Sequence, residues 1–192
     1  MSLKASKEKI LEVTMDLLVR LPMDEVTVRE IAKVAGVNIA SIHYYFGSKE
    51  ILFNTAIDKI IVKSINDWIA ENLHTKTYSS NDLIKFLEFL HLGCLDHREF
   101  AKSRIRNTLS LDQVNAANVK VYDTIYKLAK NLKLESDTKK LKIKVSLLYS
   151  SLASISGSPD DMMTFTGLKL VDNDKLKLYI RQIVEIIFSK EL

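Results

Sequence analysis

Apolar residues recur at three- and four-residue intervals over most of the chain, and that period predicts helices. In residues 6–21, "SKEKILEVTMDLLVRL", Ile10, Val13, Leu17 and Leu21 form one stripe with Leu18 beside it. Pro22 ends this helix, because it lacks the N–H that the next turn needs. "TVREIAKVAG" follows, with Thr27 and Glu30 at the spacing of a capping box and Ile31, Ala32 and Ala35 as a compact inner face. Gly36 suits the left-handed C-terminal cap. Asn38 is a good N-cap for a third helix, on which Ile42 and Phe46 lie one turn apart on the inner side. "FGSKE" breaks that helix, and Ser48 caps a fourth that runs from Lys49 to about Leu73.

Two short helices joined by a tight turn at Gly36-Val37, with a helix on either side, make a helix-turn-helix arrangement. The third helix is unusual for a surface element. On a 100-degree wheel Ile42 and Phe46 point inward, Ala40, Ser41 and Tyr44 point away, and His43 and Tyr45 sit on the flanks. The outward groups are short at the helix start and long toward its end. Short groups permit close approach to base edges, and tyrosine hydroxyls reach phosphates alongside. Tyr44 and Tyr45 taken alone are equally consistent with surface rings that cover the core.

Farther along, residues 79–95, 98–111, 115–133, 138–156 and 173–190 keep helical spacing with polar breaks between them. The last carries Leu176, Tyr179, Ile180, Ile183, Val184, Ile186 and Ile187, an apolar band too wide for one buried face. "LLYSSLASISG" offers Ser150, Ser151, Ala153 and Ser154, which let helices approach closely. Ser150, Ser151, Ser154, Tyr179, Ile180, Ile183 and Ile187 are therefore the expected homodimer interface, a four-helix bundle across a two-fold axis. Asp160 and Asp161 restart a short helix after Gly157 and Pro159.

Composition narrows the partners. The chain has 192 residues, is 47% hydrophobic and 27% charged, and contains only 5 glycines and 2 prolines, which favours long helices over a loop-rich or β fold. No apolar run is long enough to span a bilayer, and "MSLKASKEKILEV" lacks a secretory apolar region, so a cytoplasmic protein with no membrane partner is expected. The single cysteine, Cys94, excludes an internal disulfide framework. The net charge of +4 permits a polyanionic partner. Residues 1–50 nevertheless hold 7 Lys/Arg against 7 Asp/Glu, so contacts to phosphate there must come from local placement and from the positive end of a helix.

"TVREIAKVAGVNIASIHYYFGSKEILF" resembles the DNA-binding head of the tetracycline-repressor (TetR) family of bacterial transcriptional regulators. The resemblance covers roughly residues 6–55. It implies a dimer with a small helical head and a variable, helical, ligand-binding body. By position it assigns Thr27 and Arg29 to the DNA backbone or an edge base, and Ile39, Ala40 and Ser41 to base edges. It assigns His43, Tyr44, Tyr45 and Lys49 to phosphates. Asn38, Ile39, Ala40 and His43 depart from the family's usual residues. Ile39 stands where polar or basic side chains are frequent, which leaves the operator sequence open and makes a thymine methyl one candidate contact.

The expected fold is therefore all-α. A three-helix helix-turn-helix DNA-binding head over residues 1–50 precedes a helical effector-binding and dimerisation body over residues 51–192. Trp68, Phe86, Phe89, Arg104, Tyr122, Tyr126, Met162 and Phe165 are the candidate effector contacts on the family's architecture, and each is also an ordinary core or surface residue by spacing. Met163 and Arg106 belong to the same two readings. His91, Cys94 and His97 have metal-ligating chemistry, but the helix break at "LDHREF" favours a buried thiol beside two unrelated histidines, with no metal and no cofactor. No Gly-rich phosphate loop, nucleophile elbow or acid–base pair is present, so no enzyme is expected. The functional expectation is a homodimeric repressor of a palindromic DNA operator, released by a small molecule. A ligand-independent DNA-binding or architectural protein is the alternative. A helical small-molecule binder or enzyme without DNA binding is the alternative of another class.

Overall fold

The computed structural model describes residues 3–74, 77–97, 115–170 and 172–189, and within them all regular structure is helical. The helices are α1 (Leu3–Arg20), α2 (Val28–Ala35), α3 (Ile39–Phe46), α4 (Lys49–Asn72), α5 (Ser80–Asp96), α6 (Ala116–Asn131), α7 (Thr138–Gly157), α8 (Pro159–Thr166) and α9 (Asn173–Phe188). Residues 98–111, expected to be helical, and Arg104 and Arg106 within them lie outside the described residues. The described chain forms two compact units. The first runs up to Ser64 and includes Asn115–Ala117; the second begins at Ile65 and takes in the remainder. The division falls inside α4.

In the first unit, α1, α2 and α3 pack on one another. The buried face of α1 is Ile10, Leu11, Thr14 and Leu18. Val13, Leu17 and Leu21 are half-buried at its shoulder, so the face is rotated from the stripe expected on spacing. Thr14 occupies a core position because its hydroxyl donates to the Ile10 carbonyl at 2.7 Å, which removes the cost of burying it. Leu52, Phe53, Ala56 and Ile57 of α4 are also buried. Asn115 Nδ2 donates to Asp58 Oδ1 at 2.8 Å, which ties residues 115–117 to this unit.

In the second unit, α5, α7 and α9 pack mutually, and α8 follows α7 closely. Their core stripes are Leu83, Ile84, Phe86 and Leu87 on α5, and Leu141, Val145, Leu148, Leu152 and Ile155 on α7. On α9 the stripe is Leu176, Ile180, Val184 and Phe188, a strict four-residue repeat. Ser79 and Asp82 form a complete capping box at the start of α5. The Tyr78 N–H donates to Asn131 Oδ1 at 3.0 Å, so the start of α5 is tied to the end of α6.

Candidate nucleic-acid interface

Local hydrogen bonding shapes the turn between α2 and α3. Thr27 Oγ1 accepts from the Glu30 N–H at 3.1 Å and starts α2. Gly36, at φ 66° and ψ 40°, ends it in the left-handed region, with Val37 N–H donating to the Ala32 carbonyl at 3.0 Å and Gly36 N–H to Lys33 at 3.3 Å. That pair is a Schellman motif, and glycine is the residue that adopts it without a steric penalty. Asn38 Oδ1 then accepts from the Ala40 N–H at 3.0 Å and starts α3. Gly47, at φ 75°, closes α3, and Ser48 Oγ accepts from the Ile51 N–H at 3.2 Å to start α4.

On α3, Ile42 and Phe46 are buried, with the Lys7 ammonium 5.4 Å from the centre of the Phe46 ring. The opposite side is open. Ala40, His43 and Tyr44 are exposed, Tyr44 at 77%, and Ser41 and Tyr45 are half-buried on the flanks. Tyr44 and Tyr45 meet edge to face, with ring centres 5.2 Å apart and planes at 75°, which stiffens both rings. His43 Nδ1 lies 3.3 Å from the Gly47 carbonyl oxygen. A carbonyl only accepts, so Nδ1 carries the proton in that contact. Thr27 and Arg29 are exposed at the start of α2.

Lys49 is exposed at the start of α4, where its charge opposes the helix dipole. The ammonium sits 4.7 Å from the centre of the Phe53 ring on its own helix, a partner that charge reasoning about the helix start overlooks. One side of the ammonium is thereby shielded.

The second unit brings some expected residues together and separates others. Trp68, Phe86 and Phe89 form one aromatic cluster, with ring centres 5.0 Å apart for Trp68–Phe86, 5.7 Å for Trp68–Phe89 and 6.2 Å for Phe86–Phe89. Tyr122 meets Tyr149 edge to face at 4.8 Å, and the Tyr149 hydroxyl donates to Asn118 Oδ1 at 2.8 Å. Tyr126 lies beneath Lys130, and Met162 is half-buried. Phe165 lines no interior surface of the chain: it is 90% exposed, because α8 turns Met162 and Thr166 inward and leaves Phe165 beside them facing out.

The seven residues expected at the dimer interface also divide. Ile180 is fully buried in the chain's own core and offers no surface, since it falls on the repeat that packs α9 against α5 and α7. Tyr179, Ile183 and Ile187 are half-buried, and burial pushes the Tyr179 phenol above its usual range. Ser150 and Ser154 are exposed, and Ser151 is half-buried with its hydroxyl turned back to the Leu147 carbonyl at 2.9 Å. The large apolar side chains facing outward on these two helices are Ile143 and Leu147 on α7 and Leu178 and Ile186 on α9. Of these four the spacing named only Ile186, within the wide apolar band of the last helix, and none was among the seven expected interface residues.

His91, Cys94 and His97 do not converge; among the described residues no three His, Cys, Asp or Glu side chains are placed to hold a metal ion. His91 is fully buried, and its Nδ1 lies 2.9 Å from Ser156 Oγ on α7. Its Nε2 has no partner within hydrogen-bonding geometry. Desolvation holds the imidazole below its usual value, and the nearby Leu170 backbone offsets this in part. A lowered native pKa means that the unfolded chain takes up the proton first as pH falls below about 6.5. The His91 contribution to stability is therefore fully present above that pH and is lost on acidification toward the native value. His91→Leu lacks this loss, so its stability relative to the parent should rise between about pH 7.5 and pH 5.5, by up to about 1.4 kcal/mol per pH unit. Urea unfolding of both proteins across that range is the measurement, and a pH-independent difference contradicts the assignment.

Residues 10–56 match the family described as "Bacterial regulatory proteins, tetR family". No curated protein matches the chain in sequence. Among solved structures, a TetR transcriptional regulator from Rhodococcus sp. RHA1 is similar over 96% of each chain, with TM-score 0.61 and 19% identity. A tetR-family transcriptional regulator from Streptomyces coelicolor is similar over 97% of this chain and 80% of its own, with TM-score 0.59 and 17% identity. A second Rhodococcus sp. RHA1 protein, a TetR-like transcriptional regulator, gives TM-score 0.56 at 14% identity over 96% and 97% of the two chains. Residues 10–56 are therefore similar to the bacterial tetR regulatory family, and the chain has the all-helical fold of solved TetR transcriptional regulators.

Proposed function

We propose that the protein is a homodimeric repressor that places α3 in the DNA major groove of a palindromic operator and is released by a small molecule bound in its helical body. The observation that carries the DNA-binding reading is the two-sidedness of α3. Its apolar anchors Ile42 and Phe46 face the core, while Ala40, His43 and Tyr44 stand clear of the protein. In this reading Ile39, Ala40 and Ser41 approach base edges, Thr27 and Arg29 touch the DNA backbone or an edge base, and His43, Tyr44, Tyr45 and Lys49 bind phosphates. The α3 N-terminus adds positive potential to a head of zero formal charge. Dimerisation is supported by the outward apolar residues of α7 and α9, beside the small Ser150 and Ser154. Effector binding is supported by the Trp68–Phe86–Phe89 cluster, in which Phe86 is fully buried and the half-buried Trp68 and Phe89 keep apolar surface suited to an aromatic or greasy ligand. Such a ligand acts by preferring a state of lower DNA affinity.

The head is tested by three variants titrated on an operator selected from random DNA. Phosphate contacts serve all sequences alike, so Lys49→Ala should weaken specific and random DNA together and lower the salt slope by about one unit. Tyr44→Phe removes one hydroxyl and should cost about 0.5–3 kcal/mol, the range for a hydrogen bond reaching a charged group. Ser41→Ala should instead alter the ranking among operator variants. Parent-like binding by both Lys49→Ala and Tyr44→Phe would sink this reading of the head.

A further inference from the structure

We infer that the first turn of α3 reads thymine methyl groups, so that sequence choice by this helix rests on apolar contacts to Ile39 and Ala40 and not on paired hydrogen bonds to a base. This rests on the DNA-binding reading above and adds to it the base that is recognised. Ile39 is a large apolar side chain that remains 37% exposed, and Ala40 beside it is exposed as well. Most of the Ile39 surface is covered by the chain itself, but the inward side of α3 is filled by Ile42 and Phe46, and the remaining apolar surface of Ile39 is left open beside Ala40. A helix start that only faced water would lose nothing by carrying polar residues there.

The polar inventory of the same helix sharpens the argument. Between Ile39 and Phe46 there is no Arg, Lys, Asn, Gln, Asp or Glu. The paired hydrogen bonds that single out guanine or adenine need a forked side chain of that kind. The nearest amide, Asn38, has its carbonyl oxygen engaged by the Ala40 N–H at 3.0 Å as the helix cap. The polar groups left on the outward side and its flanks are Ser41, His43, Tyr44 and Tyr45. The His43 Nδ1 proton is directed at Gly47, and the two tyrosine rings pack on each other. Each of these offers a single hydrogen bond, which discriminates weakly between bases. Of the four bases, thymine alone presents a methyl group in the major groove. An exposed isoleucine and alanine at the groove-facing helix start match that group and nothing else on the base-pair edges.

The test uses the full chain and the palindrome it selects from random duplex DNA. Each thymine is replaced in turn, symmetrically in both half-sites, by deoxyuridine, which keeps every hydrogen-bonding group and loses only the methyl. One or two positions per half-site should weaken binding about three- to fivefold per methyl removed, the worth of one buried methyl group. The loss should disappear in Ile39→Ala, which lacks the contacting side chain, and persist in Ile39→Met, which retains apolar reach. Ile39 is the first residue of α3 and lies outside its buried pair Ile42 and Phe46, so both variants should keep the parent's helicity, and circular dichroism checks this. Indifference to deoxyuridine at every thymine overturns the inference, as does an undiminished loss in Ile39→Ala. A selection that yields no palindrome removes the DNA-binding reading itself, which is distinct from a palindrome that ignores its methyls.

Discussion

Ile186→Glu should convert the proposed dimer to folded monomers. Within the chain Ile186 is 77% exposed, so a carboxylate there stays hydrated and should change the stability of the isolated fold by no more than about 0.5 kcal/mol. Between two copies the same carboxylate would be stripped of water with no partner, at a cost on the order of 3–5 kcal/mol. Two-fold symmetry places the substitution in the contact twice. The dissociation constant should therefore rise at least about a hundredfold, since every 1.4 kcal/mol is about tenfold. Ile180→Glu would not test the same thing. Ile180 is buried in the chain's own core, and a charge there unfolds the second unit whether or not a partner is present. Ile183 is half-buried and mixes the two effects. Sedimentation with far-ultraviolet dichroism reads both outcomes. A folded dimer of Ile186→Glu would remove α9 from the interface, and an unfolded chain would show that Ile186 serves the chain's own core.

Phe46→Ala should abolish DNA binding by loosening α3, although Phe46 touches no DNA in the proposed complex. The ring is buried at the C-terminal end of α3 and supports the Lys7 ammonium. Truncating a buried Phe to Ala costs about 3–5 kcal/mol, from lost burial and the cavity left behind. A small helical unit has only a few kcal/mol to lose. The amides of α1, α2 and α3 should therefore exchange with solvent orders of magnitude faster than in the parent. Tyr44→Ala on the same helix is the control. Tyr44 is exposed, so exchange should stay parent-like while DNA affinity falls. Protected α3 amides in Phe46→Ala would mean that the anchor is dispensable, and loss of protection in Tyr44→Ala would mean that its ring supports the fold.

The parts of the candidate site that were legible in the sequence are those made by near neighbours. Thr27, Gly36, Asn38 and Ser48 act on backbone groups within about five residues, so the letters and their spacing carried the information. The pairing of Lys49 with Phe53 is equally local, one turn along α4, but the resemblance assigns Lys49 to phosphate and carries no information about the ring. Elsewhere, in both units, the same reading placed the helices and blurred their faces. On α1 the spacing named Ile10 and Leu18, which are buried, but also Val13, Leu17 and Leu21, which are only half-buried, and it passed over the buried Leu11 and Thr14. Neighbouring stripes on an amphipathic helix differ by one position, and Thr14 counts as core only once its hydroxyl has found the Ile10 carbonyl.

By itself the sequence determined the helical class, the turn at Gly36-Val37, the helix starts and the two-sided α3, since 3.6-residue periodicity and capping are satisfied within each segment. Only the tertiary structure decided which side of a wide apolar band became interior. It put Ile180 inside and left Ile186 outside on α9, and it turned Phe165 out to solvent. It joined His91 to Ser156, 65 residues away, and gathered Trp68 with Phe86 and Phe89. Those choices depend on helices distant in the chain, because burial is a property of what arrives on the other side, and no local spacing records the neighbour.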